Sequence, residues 1–200
     1  MDCIELSIEN LKKENSKLYN IIKKEYDYDC VIFVAKGAYL IGKDLAELNN
    51  CPLLEIHAER KGGKFKNIIS PFLKFVPKKI RIKLRKKEVN SNYHSENSNR
   101  NVFYDESIYK KYSKCKKILL VDDSVDTGNT ISSIVNFLKV IFKKSTIKVA
   151  AYNVFDSSKD IVTIDYNIYN NYIIIGPWSN DSKEHSKYKK MYNEWHSSMK

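Results

Sequence analysis

The sequence has few cysteines. The four it has, Cys3, Cys30, Cys51 and Cys115, are far apart and form no CxxC pair. That pattern argues against a disulfide framework and a thiolate zinc site, and it fits a reducing cytoplasm. No run of 18 or more apolar residues occurs, so no transmembrane helix is expected. The opening Met1-Asp2-Cys3-Ile4-Glu5 lacks the basic start and apolar core of a secretory leader. The expected location is cytoplasmic. Acidic residues are missing from Arg60 to Lys87, where twelve Lys or Arg occur. Removing those twelve from the 35 in the chain leaves 23 basic against 24 acidic residues elsewhere, so one segment carries the net charge of +11. No helix-turn-helix or other nucleic-acid reader is visible, and aromatic residues that could stack on bases are thin in the basic segment. What remains, 200 residues with 42% hydrophobic content, suits a single domain spanning 1–200 with a real core.

The stretch that organises the chain is Ile118 to Thr130, Ile-Leu-Leu-Val-Asp-Asp-Ser-Val-Asp-Thr-Gly-Asn-Thr. Ile118 to Val121 reads as a buried parallel strand, with Asp122 and Asp123 where it ends. Asp126-Thr127-Gly128-Asn129-Thr130 then turns into a segment with Ile131, Ile134, Val135 and Leu138 at helical spacing. Gly128 allows close backbone approach to a ligand. The N–H groups of a helix start favour an anion such as phosphate, and Thr127 and Thr130 add hydroxyl donors. Two adjacent carboxylates at the same crevice can hold diol hydroxyls or a hydrated cation.

This stretch resembles the 5-phosphoribosyl-diphosphate (PRPP) motif of the type I phosphoribosyltransferases: four apolar residues, two acidic, two or three mostly apolar, then Asp-Thr-Gly-x-Thr. The resemblance implies an α/β fold with a doubly wound, mainly parallel sheet, a C-terminal hood and a long insertion. It implies that Asp126, Thr127, Gly128, Asn129 and Thr130 wrap the 5-phosphate. Asp122 and Asp123 would bind the ribose hydroxyls directly or through Mg²⁺-bound water, which makes them the metal candidates and Mg²⁺ the cofactor. Asp126 would be the catalytic general base. A bulky residue at 128 is expected to block the cradle and leave the fold intact.

Earlier in the chain, residues 7–25 read as an amphipathic helix with Ile8, Leu11, Leu18 and Ile22 on one face and Asn15 interrupting it. Cys30 to Ala35 is a second apolar strand. Lys36-Gly37-Ala38 follows, then a helix around Asp44 to Leu48. A strand, a Lys-Gly turn and a helix form another anion cradle. The turn looks like the family's pyrophosphate loop, with Lys36 and the amides of Gly37 and Ala38 on the leaving pyrophosphate. Pro52 to Glu59 is the next strand, and His57 within it reads as structural.

Residues 60–113 read as an insertion. Its first part is basic and amphipathic, with Pro71 and Pro77 limiting any helix to short pieces. Through 60–87 it suits an anionic membrane surface, a solvated basic face with a dimer partner, or nucleic-acid phosphates. Glu88 to Arg100 is Asn- and Ser-rich, without an apolar period. In the family a loop here closes over the site, which makes Ser91, Tyr93, His94 and Arg100 lid candidates. Strands are expected at Thr146–Val154, Thr163–Tyr169 and Tyr172–Gly176. A helix over 183–198, with Tyr188, Met191, Tyr192 and Trp195 on one face, is expected to dock on the body of the fold.

Residues 155–180 would form the acceptor hood. Tyr172 to Trp178 looks like the hood of 6-oxopurine phosphoribosyltransferases, which puts Tyr172, Ile173, Trp178 and Asn153 among the acceptor candidates. Those enzymes place a Lys just after the preceding strand to read the 6-oxo group. Here the neighbourhood is Tyr152-Asn153-Val154-Phe155-Asp156, with no Lys before Lys159. The expectation is therefore a phosphoribosyltransferase that releases pyrophosphate from PRPP. Its acceptor is either a purine-type nucleobase, in salvage, or a sugar hydroxyl of a lipid-linked glycan, in polysaccharide biosynthesis. A PRPP-sensing regulator without catalysis is the alternative. A homodimer and a peripheral contact of 60–87 with the inner face of the membrane complete the expected partners.

Overall fold

The computed structural model describes residues 2–60 and 100–199. Ser91, Tyr93, His94 and nearly all of the basic segment lie outside the described residues.

In chain order the elements are β1 (Cys3–Glu5), α1 (Ile8–Lys23), β2 (Cys30–Val34), α2 (Tyr39–Leu48), β3 (Leu53–Arg60), β4 (Arg100–Phe103), α3 (Glu106–Lys111), β5 (Lys117–Val125), α4 (Asn129–Ile141), β6 (Thr146–Val154), β7 (Tyr166–Asn170), β8 (Ile173–Ile175) and α5 (His185–Ser198). Six strands form one sheet in the order β4-β3-β2-β5-β6-β7. All neighbours run parallel except β3 and β4. This is a doubly wound α/β architecture, as the alternation of strands and helices predicts.

The central strands are apolar throughout because both faces of the sheet are covered. Val31 and Phe33 of β2, with Leu119 and Val121 of β5, belong to a core shared with α1, α2 and α5. The intervening Cys30, Ile32, Ile118 and Leu120 pack with α3 and α4 on the other face. Asn15, the polar interruption of α1, is fully buried. Its amide nitrogen donates to Asp44 Oδ2 at 2.7 Å, and its oxygen accepts the Tyr152 hydroxyl. A buried polar side chain is tolerated where its partners are supplied.

Several boundaries differ from the sequence reading. β5 does not stop at Val121 but continues to Val125, because β6 runs beside it and pairs Asp122 with Ala151 and Ser124 with Asn153. The expected strand at 163–169 is displaced to Tyr166–Asn170. Asp165 lies outside it, accepting the Val149 N–H at 2.8 Å and pairing with Lys148 at 2.7 Å. The run at Tyr172–Gly176 does not extend the main sheet. Its Ile173–Ile175 pairs in parallel with Cys3–Glu5, a strand too short to show a period in the sequence. Within the stretch 60–113, the described residues form β4 and α3. Arg100, expected in a mobile lid, opens β4 and stands opposite Arg60 in the antiparallel ladder. Among the described residues, no helix is long and apolar enough to cross a membrane.

Candidate active site

Ligand crevices of open α/β sheets lie at the carboxyl ends of the parallel strands. Here β2 and β5 are adjacent, so the turns that follow them meet. A Cβ placed on Gly37 would come within 2.7 Å of the Asp123 carboxyl carbon. The Lys36-Gly37 turn therefore lies directly against the acidic pair, and a side chain at 37 would displace one or the other.

Asp122 is almost fully buried, and its Oδ1 accepts the Asp123 N–H at 2.9 Å. Burial pushes the Asp122 carboxyl well above the usual carboxylate range, and the neighbouring Asp123, then Asp126, add to the shift. Two carboxylates this close disfavour joint ionisation unless a proton or a cation intervenes. The pair thus fits a hydrated Mg²⁺. Among the described residues no cluster of three or more acidic, His or Cys groups forms a cage for a metal. An ion here would take its remaining ligands from water and substrate oxygens, as Mg²⁺ commonly does.

The turn at 126–130 leads into α4. Gly128 is the cap residue, with φ +79°, and supplies no side chain to the helix start. Such an uncapped start is where an anion is favoured. Behind the turn, the Ser157 hydroxyl donates to the Asp126 carbonyl at 2.6 Å, and the Asn129 amide nitrogen donates to Thr127 Oγ1 at 3.2 Å. Asp126 itself is exposed at the crevice edge. Gly128 has a second constraint that the motif does not reveal. A Cβ there would lie 2.7 Å from Val162 Cγ1 and 3.2 Å from the Ser158 carbonyl oxygen. The segment after β6 closes over this glycine, so a bulky residue at 128 cannot leave the fold untouched.

At the β2 turn, the Ala35–Lys36 peptide is cis. Lys36 is exposed, with its ammonium 5.8 Å above the Tyr192 ring. The Ala38 N–H is directed to the Val34 carbonyl at 3.3 Å, which leaves Lys36 and the Gly37 amide as the groups of this turn suited to a pyrophosphate. The Lys36 carbonyl accepts the Tyr188 hydroxyl from α5.

The acceptor candidates divide into two kinds. Asn153 is fully buried. Its Nδ2 donates to Ser124 Oγ at 3.3 Å and its Oδ1 accepts the Tyr172 N–H at 3.0 Å. It ties the ends of β5, β6 and the hood together. Ile173 is buried in the pairing with Cys3. Tyr172 and Trp178 keep part of their surface. The Tyr172 ring meets Tyr169 edge-on at 5.8 Å, and the Trp178 indole lies over Gly176 between Tyr152 and Tyr188. Lys159 pairs with Asp156 at 2.6 Å.

Two polar residues that the sequence does not single out, Glu55 and His196, join His57 near this site. Glu55, on β3, accepts the Tyr192 hydroxyl and lies 3.3 Å from His57 Nε2 and 2.8 Å from His196 Nδ1. Burial alone would raise the Glu55 carboxyl, but the bonds from His57, Tyr192 and His196 outweigh it and hold it below the usual range. His57 is thus a partner of Glu55, consistent with a structural role. Glu55, His57 and His196 also line a cavity of about 340 Å³ with Phe103, Tyr104 and Trp195. It lies at the β3–β4 edge and includes none of residues 122–130.

No protein-family model and no curated protein matches the chain. Solved structures do. A purine phosphoribosyltransferase from Pyrococcus horikoshii Ot3 superposes with a TM-score of 0.59 at 18% identity, covering 91% of this chain and 97% of that one. A xanthine-guanine-hypoxanthine phosphoribosyltransferase from Helicobacter pylori gives 0.57 at 16% identity, over 92% and 96%. A hypothetical protein from Neisseria gonorrhoeae with bound ppGpp gives 0.59 at 15% identity, over 96% and 97%. The chain has the type I phosphoribosyltransferase fold.

Proposed function

We propose that the chain is a PRPP-dependent phosphoribosyltransferase whose acceptor is a purine-type nucleobase. The observation that carries this reading is the contact between the Lys36-Gly37 turn and Asp123. Two turns that each favour anions, far apart in sequence, flank one acidic pair at neighbouring strand ends. That spacing of charge suits a ligand with a phosphate at one end, a diol in the middle and a pyrophosphate at the other.

In this reading residues 126–130 hold the 5-phosphate, while Asp122 and Asp123 orient the ribose hydroxyls. Lys36 and the Gly37 amide receive the charge that builds on the departing pyrophosphate. The acceptor nitrogen forms its bond to C1 as the bond from C1 to the pyrophosphate oxygen breaks. The electron pair leaves with the pyrophosphate, and the acceptor's proton passes to a base, for which the exposed Asp126 carboxylate is the candidate. Asp122 and Asp123 would hold Mg²⁺, which would supply positive charge against the developing charge of the leaving group. The protein's share of the catalysis is positioning and charge stabilisation.

A nucleobase acceptor is favoured by the names of the two phosphoribosyltransferases that superpose on more than nine-tenths of the chain. The partly exposed Tyr172 and Trp178 are the aromatic faces on which a base would stack. The glycan acceptor is favoured by the absence of a Lys between Tyr152 and Lys159 and by the basic segment; the membrane contact rests on that segment alone, which falls almost wholly outside the described residues.

The test is a mass-spectrometric product scan with PRPP, Mg²⁺ and a panel of purine and pyrimidine bases. A nucleoside 5-monophosphate is expected from at least one purine, with an equal amount of pyrophosphate. A folded protein that binds PRPP yet yields no nucleotide from any base would reject the nucleobase and move the reading to a sugar hydroxyl or to a regulator.

A further inference from the structure

The pyrophosphate turn is held from two sides. On one side Gly37 lies against Asp123. On the other lies α5, a helix that the PRPP motif does not include. The hydroxyl of Tyr188, a nearly buried residue, donates to the Lys36 carbonyl. One turn further on, Tyr192 presents its ring to the Lys36 ammonium at 5.8 Å and donates its hydroxyl to Glu55. Tyr39, which opens α2 directly after the turn, meets the rings of Tyr188 and Tyr192 edge-on at 6.2 and 5.5 Å. Its hydroxyl donates to the Met191 carbonyl at 3.4 Å. The stripe Tyr188, Met191, Tyr192, Trp195 thus grips the backbone, the charged head and the C-terminal flank of residues 36–38. A polar phenol bond and a cation over a ring are both directional, unlike apolar packing, so they fix where the turn sits.

We propose that Tyr188 is a positioning residue for the pyrophosphate end of the site and that α5 sets the position of the 36–38 turn. The inference rests on the PRPP reading above. It assigns α5 a role beyond docking. The helix holds the Lys36 carbonyl and the Lys36 head in register with Asp122 and Asp123, while the 126–130 cradle is built without it.

The experiment uses the full chain and calorimetric binding of inorganic pyrophosphate, ribose 5-phosphate and PRPP to wild type and Tyr188→Phe. The Lys36 carbonyl also accepts the Tyr39 N–H at 3.2 Å, so losing the phenol hydroxyl does not strand it. Pyrophosphate and PRPP affinities are expected to fall about 5- to 10-fold, the range of one hydrogen bond. Ribose 5-phosphate affinity should stay within about 2-fold, because its phosphate site lies at the other end of the crevice. A second variant, Tyr192→Leu, removes the ring beneath Lys36 and should weaken pyrophosphate about 2- to 5-fold, again sparing ribose 5-phosphate. Equal losses for both ligands would mark a merely structural role and overturn the proposal. So would unchanged affinities in both variants when wild type binds both ligands. Wild type that binds neither ligand would instead overturn the PRPP reading, and this inference with it.

Discussion

Asp122→Asn is expected to raise the melting temperature of the ligand-free protein and to lower its PRPP affinity about 10- to 100-fold. Both effects have one cause. The carboxyl is buried beside Asp123, and its ionised form is disfavoured by burial first and by that neighbour second. Asparagine keeps the oxygen that accepts the Asp123 N–H and removes the charge. In a chain of this size each kcal/mol released is worth roughly 2–4 °C. The pH dependence has a definite sign. A carboxyl raised in the folded state contributes stability that is whole below its ordinary value of 3.8 and is lost as pH rises through the folded value. The gap between variant and wild type should therefore be small near pH 4 and widen toward pH 8. The affinity loss follows because charge-assisted bonds to hydroxyls are worth about 1.5–3 kcal/mol. Thermal unfolding across pH, with PRPP titration at pH 7.5, checks both halves. A variant less stable than wild type at pH 8 would mean that burial beside Asp123 does not disfavour the ionised Asp122 carboxyl.

Gly128→Val should act in the opposite direction on stability and in the same direction on binding. The residue sits at φ +79°, a region that costs a β-branched side chain about 1–2 kcal/mol or more. Its Cβ would also press on Val162 Cγ1 at 2.7 Å and the Ser158 carbonyl oxygen at 3.2 Å. We expect a loss of about 2–4 kcal/mol, seen as a drop of roughly 5–15 °C, together with loss of measurable ribose 5-phosphate binding. Gly128→Ala should lie between. Wild-type stability in the valine variant would show that the 156–162 segment yields, and wild-type ribose 5-phosphate affinity would remove the cradle from this turn.

Much of this site was legible in the sequence because it lies in continuous stretches. Ile118 to Thr130 changes from a strand to a helix period across one glycine, and the two carboxylates fall at the change. The extension of β5 to Val125 was not legible, since it depends on β6 running beside it rather than on apolar residues in β5 itself. The β1–β8 pair was hidden for a similar reason. Three residues carry no period, and the partner lies at the other end of the chain. The α5 stripe announced that the helix docks but not where, because spacing identifies a face and not its partner. Glu55, His57 and His196 could not be joined without the sheet that brings β3 under α5. Asn153 is one of the acceptor candidates of the sequence. Its full burial and its bonds to Ser124 and Tyr172 mark it as a brace of the hood.

In the proposed function, residues 36–38, 122–123 and 126–130 form one PRPP site. Amide hydrogen exchange of the full chain, with and without PRPP and Mg²⁺, tests it most directly. PRPP is expected to slow exchange in the 36–38 and 126–130 turns together, and ribose 5-phosphate to slow it at 126–130 alone. Saturating PRPP that protects neither turn, or protects only a surface remote from both, would contradict it.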